Sequence, residues 1–194
     1  MATQISPEAE TIRQLLLGQR YRAAKIPPLD GAGLYALFLI DTTALPLITV
    51  GPSAVLYVGM TESSLEVRNH FKHAHSGFST LRRSLGALLI HKLALQPIPR
   101  APGRSQSNIT NYRFSDDGER CLTKWIEEHL AYGFAPVGQN VRDLERELIA
   151  ELKPPLNLTA LGQWRNPDAA KIRGARRECR DKAQRVQNDG RSSP

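Results

Sequence analysis

The stretch Val141–Lys153 carries a carboxylate on its apolar face. At about 100° per residue, Val141, Leu144, Leu148, Ile149 and Leu152 fall within one helical arc of about 140°. Glu147 and Glu151 project outside that arc, as solvated acids do, but Glu145 lies inside it, between Leu152 and Ile149. A carboxylate among leucines loses hydration, so it needs a hydrogen-bond donor, a cation or a metal ion. Misplaced ionisable groups of this kind mark functional sites. The structural alternative is a Glu at a core margin that reaches an arginine or a backbone amide. Arg68 is a milder case: it flanks the stripe Val67, Phe71 and Ala74, either as a snorkelling surface cation or as a donor to an anion.

Three histidines, His70, His73 and His75, invite a zinc reading. On a helix His75 points about 160° away from His73, so the three cannot converge on one ion and zinc is rejected. His70 and His73 stay candidates for phosphate contact. The run Ser79–Arg83 opens a helix with hydroxyls, Arg82 and Arg83, which suits a phosphate at a positive helix end or a capped helix with solvated arginines.

The charge balance points the same way. Twenty-six Lys and Arg against nineteen Asp and Glu give a net charge of +7. Arg68–Arg104 holds seven basic residues, among them Lys72, and no acid. Arg165–Pro194 holds nine basic residues against four acids, and Arg173, Arg176 and Arg177 lie in a stretch charged all round the helical wheel. Such patches suit a polyanion, most simply nucleic acid, although a high isoelectric point alone also occurs in proteins that bind none. Cys121 and Cys179 have no ligand-like neighbours and read as ordinary thiols of a reducing cytosol. The N-terminus lacks the basic-then-apolar pattern of a signal peptide, and the longest apolar run, Gly33–Ile40, is far short of a membrane span, so a cytoplasmic protein away from membranes is expected.

The elements that must position these groups follow from periodicity and punctuation. Ser6, Pro7, Glu8 and Glu10 predict a helix start, with the helix running over Glu8–Ala24. Gly33–Ile40 and Ala54–Gly59 predict two buried strands, joined by a long link with an edge strand at Leu47–Val50. Ser63 or Ser64 predicts a helix to about His75, and Ser79 or Thr80 another through about Leu93. Gln96–Ser107 reads as a surface loop. A strand at Asn111–Phe114, a helix over Asp117–Ala131, a strand at Gly133–Val137, the helix Val141–Lys153 and a basic helix over Ala169–Arg185 complete the chain. The expected fold class is α+β, a small central antiparallel sheet flanked by helices. Its organisation reads as an N-terminal helix and linker over 1–30, a central domain over 31–160 and a basic C-terminal helical tail over 161–194.

Two tripeptides on neighbouring strands, Gly33-Leu34-Tyr35 and Tyr57-Val58-Gly59, combine with Arg68 and with Glu145-x-x-Leu148-Ile149-x4-Pro154-x2-Asn157. In this order the set resembles the GIY-YIG nuclease family over about Gly33–Asn157. Tyr35 and Tyr57 are 22 residues apart, about twice the separation of compact members, so the hairpin link is enlarged. Compact members often place Arg four residues before a His-Phe or Tyr-Phe pair, whereas here Arg68 precedes His70-Phe71 by two and Glu66 by four.

The resemblance implies a metal-dependent endonuclease that hydrolyses DNA phosphodiester bonds, with Mg²⁺ or Mn²⁺ held by Glu145. It implies Arg68 as the cation that stabilises transition-state charge, Tyr35 and Tyr57 beside the attacking water, and Asn157 hydrogen-bonding around the site. Gly59 would leave room for backbone to approach substrate. DNA contacts would come from His70, Lys72, Arg82, Arg83, Arg173, Arg176 and Arg177. Cutting of both strands by one small site would call for a homodimer. The alternative is a nucleic-acid-binding protein that keeps the fold without turnover.

Overall fold

The apolar run Gly33–Leu39 becomes β1, buried along its whole length. A strand covered on both faces reads as continuously apolar rather than alternating, and β1 is the central strand of three. The computed structural model describes residues 5–72, 75–101, 111–158 and 165–189. Its contacts divide the chain into two units, Met1–Asn69 with Glu127–Ala169, and His70–Ile126 with Ala170–Pro194.

In the first unit β2 (Val55–Thr61) and a later strand (Leu130–Pro136, β5) flank β1 in the order β2-β1-β5, antiparallel throughout. α1 (Pro7–Gly18) and α4 (Val141–Leu152) supply Ala9, Ile12, Leu16, Val141, Leu144, Leu148 and Ile149 to a core shared with Leu34, Ala36, Phe38, Val55, Val58, Ala131 and Ala135. Ser6 caps α1 as expected, its hydroxyl accepting from the Ala9 amide at 3.2 Å. The helix stops at Gly18 rather than Ala24, because Tyr21 exchanges backbone hydrogen bonds of 2.8 Å in both directions with Tyr132. Extended pairing to β5 outweighs local helix propensity there.

Two further expectations fail in this unit. The helix expected from Ser63 or Ser64 to His75 is absent among the described residues, where Leu65–Arg68 forms turns. Thr61 Oγ1 accepts from the amides of Ser63 and Ser64 at 3.2 Å each, and Ser64 Oγ from that of Val67 at 3.3 Å. Hydroxyls that bond the local backbone compete with helix formation. Leu65 alone anchors the segment, its amide on the Gly31 carbonyl at 2.9 Å, and Val67 is 69% exposed rather than part of an apolar stripe. No strand forms at Leu47–Val50: the Thr49 amide bonds Asp168 Oδ2 at 2.9 Å instead of a neighbouring strand.

The second unit contains α2 (Thr80–Leu88), a two-stranded ribbon of β3 (Pro97–Pro99) and β4 (Tyr112–Phe114), α3 (Asp116–His129, its last residues in the first unit) and α5 (Ala169–Asp189). Part of the expected loop at Gln96–Ser107 is thus strand β3, and residues 102–110 lie outside the described set. α5 is no solvated appendage, since Ile172, Cys179 and Ala183 are buried.

The polar centre of this unit is Glu119, 3% exposed. Its Oε1 accepts from the amides of Ser76 at 2.8 Å and Phe114 at 3.1 Å, and its Oε2 from the Ser76 hydroxyl and from Arg82 Nη2, both at 3.0 Å. Arg82 is fully buried and also donates to Thr123 Oγ1 at 2.9 Å. Arg82, expected to touch phosphate, is therefore a core residue: its charge is held inside the fold by a carboxylate that the sequence pattern did not single out. Among the described residues no helix is long and apolar enough to cross a membrane.

Removing one member of a buried ion pair leaves the other uncompensated, at a cost of ~3–5 kcal/mol. Glu119→Ala also strands the Ser76 and Phe114 amides. Urea unfolding of Glu119→Ala and of Arg82→Ala should each show a loss of at least ~3 kcal/mol. A loss below ~1 kcal/mol for both would mean that the pair does not hold this unit together.

Candidate active site

The register of β1 assembles the site. Tyr35 stands opposite Gly59 on β2 and Phe134 on β5, while Leu37 stands opposite Tyr57 and Tyr132. Because side chains alternate across a sheet, Tyr35, Tyr57, Tyr132 and Gly59 share one face. The Tyr35 and Tyr57 rings lie 6.1 Å apart at 35°, and Tyr35 stacks on Tyr132 at 5.7 Å and 14°. The Tyr35 and Tyr57 hydroxyls are hydrogen-bonded to one another. Gly59 makes this packing possible: a Cβ there would meet Tyr35 Cζ and the hydroxyl at 2.5 Å and Tyr57 Cε1 at 2.8 Å. The room that Gly59 leaves is thus filled by the tyrosine rings, a correction to its expected role in letting backbone approach substrate.

Glu145 projects from α4, which packs along β2, and is half-buried. Burial pushes its carboxyl above the usual range, and Arg146, Arg142 and Arg68 only partly offset this. Among the described residues its carboxylate has no hydrogen-bond or ion-pair partner, so the structural alternative of a reach to an arginine or an amide is not realised. Burial is also the first cause raising the Tyr57 phenol, followed by the Glu145 charge; the Tyr35 hydrogen bond and Arg68 act in the opposite direction. Tyr35 is raised well above the ordinary phenol range, chiefly by burial. Arg68 is exposed, and its field reaches Tyr35, Tyr57 and Glu145 alike. The turn Leu65–Arg68, not a helix, presents it.

Asn157 is bonded to the sheet. β2 is an edge strand, and its outward groups at Val58 need partners. The Val58 amide donates to Asn157 Oδ1 at 2.9 Å, and Asn157 Nδ2 donates to the Val58 carbonyl at 2.8 Å. Next to it the Leu156 amide donates to the Leu56 carbonyl at 2.9 Å. The spacing from Glu145 to Asn157 follows: α4 ends at Lys153, in left-handed geometry with φ 51°, and Pro154 and Pro155 turn the chain onto β2. Asn157 thereby fixes the backbone between Tyr57 and Gly59.

The first unit therefore brings together Tyr35, Tyr57, Arg68, Glu145 and Asn157. The other expected contacts, His70, Lys72, Arg82, Arg83, Arg173, Arg176 and Arg177, belong to the second unit. His70 is buried there, with Nδ1 3.4 Å from Ser79 Oγ, and Lys72 is exposed. His73 lies outside the described residues. Sequence reading missed Tyr132, because the expected strand began at Gly133 while β5 begins at Leu130. The apolar character of Leu130 and Ala131, at the end of an overextended helix, is the signal that could have found it.

The chemistry of the donor set is that of a hard cation. Among the described residues no three His, Cys, Asp or Glu gather around one point, so no all-protein cage exists. One partially desolvated, unpartnered carboxylate does fit Mg²⁺, which commonly keeps several waters and one or two carboxylates.

A family model described as the GIY-YIG catalytic domain matches residues 34–181. No curated protein and no solved structure matches the chain. The matched span covers most of the sequence and contains both strand tyrosines, Arg68, Glu145 and Asn157. The chain belongs to the GIY-YIG catalytic domain family.

Proposed function

We propose that the protein is a divalent-metal-dependent endonuclease that hydrolyses DNA phosphodiester bonds. The observation that carries this reading is Glu145, a half-buried carboxylate without a partner whose charge acts on Tyr57, beside an arginine whose field covers both. A structural role would have given that carboxylate a donor, as Glu119 has. Glu145 would hold Mg²⁺ or Mn²⁺, which supplies Lewis-acid stabilisation of the charge that develops on phosphate oxygens.

The remaining roles rest on the chain's own groups. Burial raises Tyr35 well above the ordinary phenol range and raises Tyr57 less, so Tyr57 is the phenol that gives up its proton more readily. Satisfying the Glu145 charge removes the second cause that keeps the Tyr57 proton in place. Tyr57 is then suited to orient the attacking water as a phenol or, once its own proton has passed to solvent, to accept a proton from that water as a phenolate. The exposed guanidinium of Arg68 offers a planar fork to the phosphate oxygens. Asn157 is a positioning residue: it holds the Tyr57–Gly59 backbone and touches no reacting atom. Lys72 and the arginines of the second unit, Arg83, Arg173, Arg176 and Arg177, supply phosphate contacts that position the DNA.

Plasmid nicking with and without Mg²⁺, beside a salt-dependent binding assay, separates this reading from a binding protein without turnover, which would bind and never nick. Glu145→Gln should lower cleavage by at least ~10²-fold and leave DNA affinity within about threefold. The same change should raise the melting temperature of the metal-free protein at neutral pH. The sign follows from the raised carboxyl: its burial penalty is absent below the unfolded pKa and present above the folded one. The gain should therefore vanish near pH 4. Normal Mg²⁺-dependent cleavage by Glu145→Gln would remove this residue from the mechanism.

Arg68→Ala should cut single-turnover cleavage by ~10²–10³-fold. As an exposed turn residue it should change unfolding free energy by less than ~0.5 kcal/mol. Arg68→Lys should not restore the rate, since a point charge does not reproduce the bidentate fork. A near-normal rate in Arg68→Ala would leave the site without its cation and favour the binding-only reading.

A further inference from the structure

The second unit contains a pocket of about 250 Å³ lined by Arg83, Asn111, Tyr112, Arg173, Arg176, Arg177 and Arg180. Five of these seven residues are arginines, and among the described residues no acid lines it. Four come from one face of α5, at the i, i+3, i+4 and i+7 spacing that places helical side chains side by side. Of the acids of that helix, Glu178 pairs with Lys182 at 2.7 Å, and Asp181 lies 3.6 Å from Nε of the pocket arginine Arg180.

Arg83 makes this a built site rather than a charged surface. It is 9% exposed, with Nη1 donating to the Gly77 carbonyl at 2.7 Å and Nη2 to Thr80 Oγ1 at 3.3 Å. Its Nε is buried without a hydrogen-bond partner. Tyr112 fixes the same spot, its hydroxyl donating to the Arg83 carbonyl at 3.0 Å. Burial, then the charge of Arg176, makes the Arg83 guanidinium harder to keep protonated. Arg82, its sequence neighbour, has a carboxylate at 3.0 Å; among the described residues Arg83 has none.

We propose that this pocket receives a terminal phosphate of a nucleic-acid strand, anchoring a DNA end apart from the tyrosine site. The class of ligand follows from charge and shape. A phosphomonoester carries about 1.5–2 negative charges at neutral pH and three acceptor oxygens, whereas a phosphodiester within a strand carries one. An internal phosphate also continues into sugar on both sides and suits an open groove. A pocket lined by five arginines suits the end group, which carries the higher charge and three acceptor oxygens. Guanidinium forks match phosphate oxygens in pairs. The inference deepens the nuclease reading and rests on its DNA substrate, but not on turnover.

The test is binding by the full-length protein in EDTA, by anisotropy, to internally labelled DNA duplexes that bear a 5′-phosphate, a 3′-phosphate or only hydroxyl ends. One phosphorylated duplex should bind at least ~10-fold tighter than the hydroxyl duplex. Arg176→Gln should bring that ratio close to one, and Arg185→Gln, on the same helix outside the pocket, should keep it. Equal binding of the three duplexes by the wild type, or an unchanged ratio in Arg176→Gln, overturns the proposal. Inorganic phosphate, compared with chloride at equal ionic strength, should raise the wild-type melting temperature and not that of Arg176→Gln. That protection without any end preference would assign the pocket to a free anion and overturn the strand-end reading. An end preference in a chain that never nicks DNA would overturn the nuclease reading and leave the pocket assignment standing.

Discussion

The pairing of β1 with both of its neighbours is the constraint on which the active site depends. One face of the sheet must be covered by α1 and α4, so Leu34, Ala36 and Phe38 cannot trade places with Tyr35 and Leu37. A slip of one residue would send every tyrosine into the helices and every core residue out. With the register set, Tyr35 falls opposite Gly59, the one position on β2 whose lack of a side chain lets the ring lie across the strand. Asn157 protects the arrangement from the outer side, because the edge strand's Val58 groups are bonded there and not to water or another chain. Stability and site geometry are thus the same set of hydrogen bonds.

Four charged side chains show how the fold separates structure from chemistry. Glu119 and Arg82 are both buried and answer one another, with amide and hydroxyl donors completing the carboxylate. Glu145 is half-buried and, among the described residues, has no hydrogen-bond or ion-pair partner, only the fields of three arginines. Arg83 is buried with one nitrogen unmet, over a pocket rimmed by like charges. Burial of a charge is costly unless it is paired. The paired set therefore contributes to holding the second unit together, and the two unpaired groups are poised for a ligand of opposite sign.

The tyrosines illustrate a similar division. Tyr35 and Tyr57 stand on adjacent strands in the same apolar surroundings, and burial disfavours the phenolate of each. Their difference comes from their neighbours. Tyr35 stacks on Tyr132, and Tyr57 feels the Glu145 charge. Two chemically identical groups acquire different proton affinities from position alone.

Much of this was legible in the amino-acid order. The apolar runs gave β1 and β2, because strands buried within a sheet leave a contiguous signal. The helical wheel singled out Glu145, because a single acid in an apolar arc is visible without coordinates. The Ser6 cap, α4 and its stop at Pro154 were legible for the same reason: each is a local rule. The turn that presents Arg68, the missing helix after β2 and the early end of α1 were not, since there the outcome was set by hydroxyls and strand pairing that propensity does not weigh. Adjacent arginines in Ser79–Arg83 looked equivalent in sequence. Only tertiary structure gave Arg82 a buried carboxylate from α3 and left Arg83 facing a pocket completed by α5, because the charges that decide an arginine's role are brought to it from distant parts of the chain.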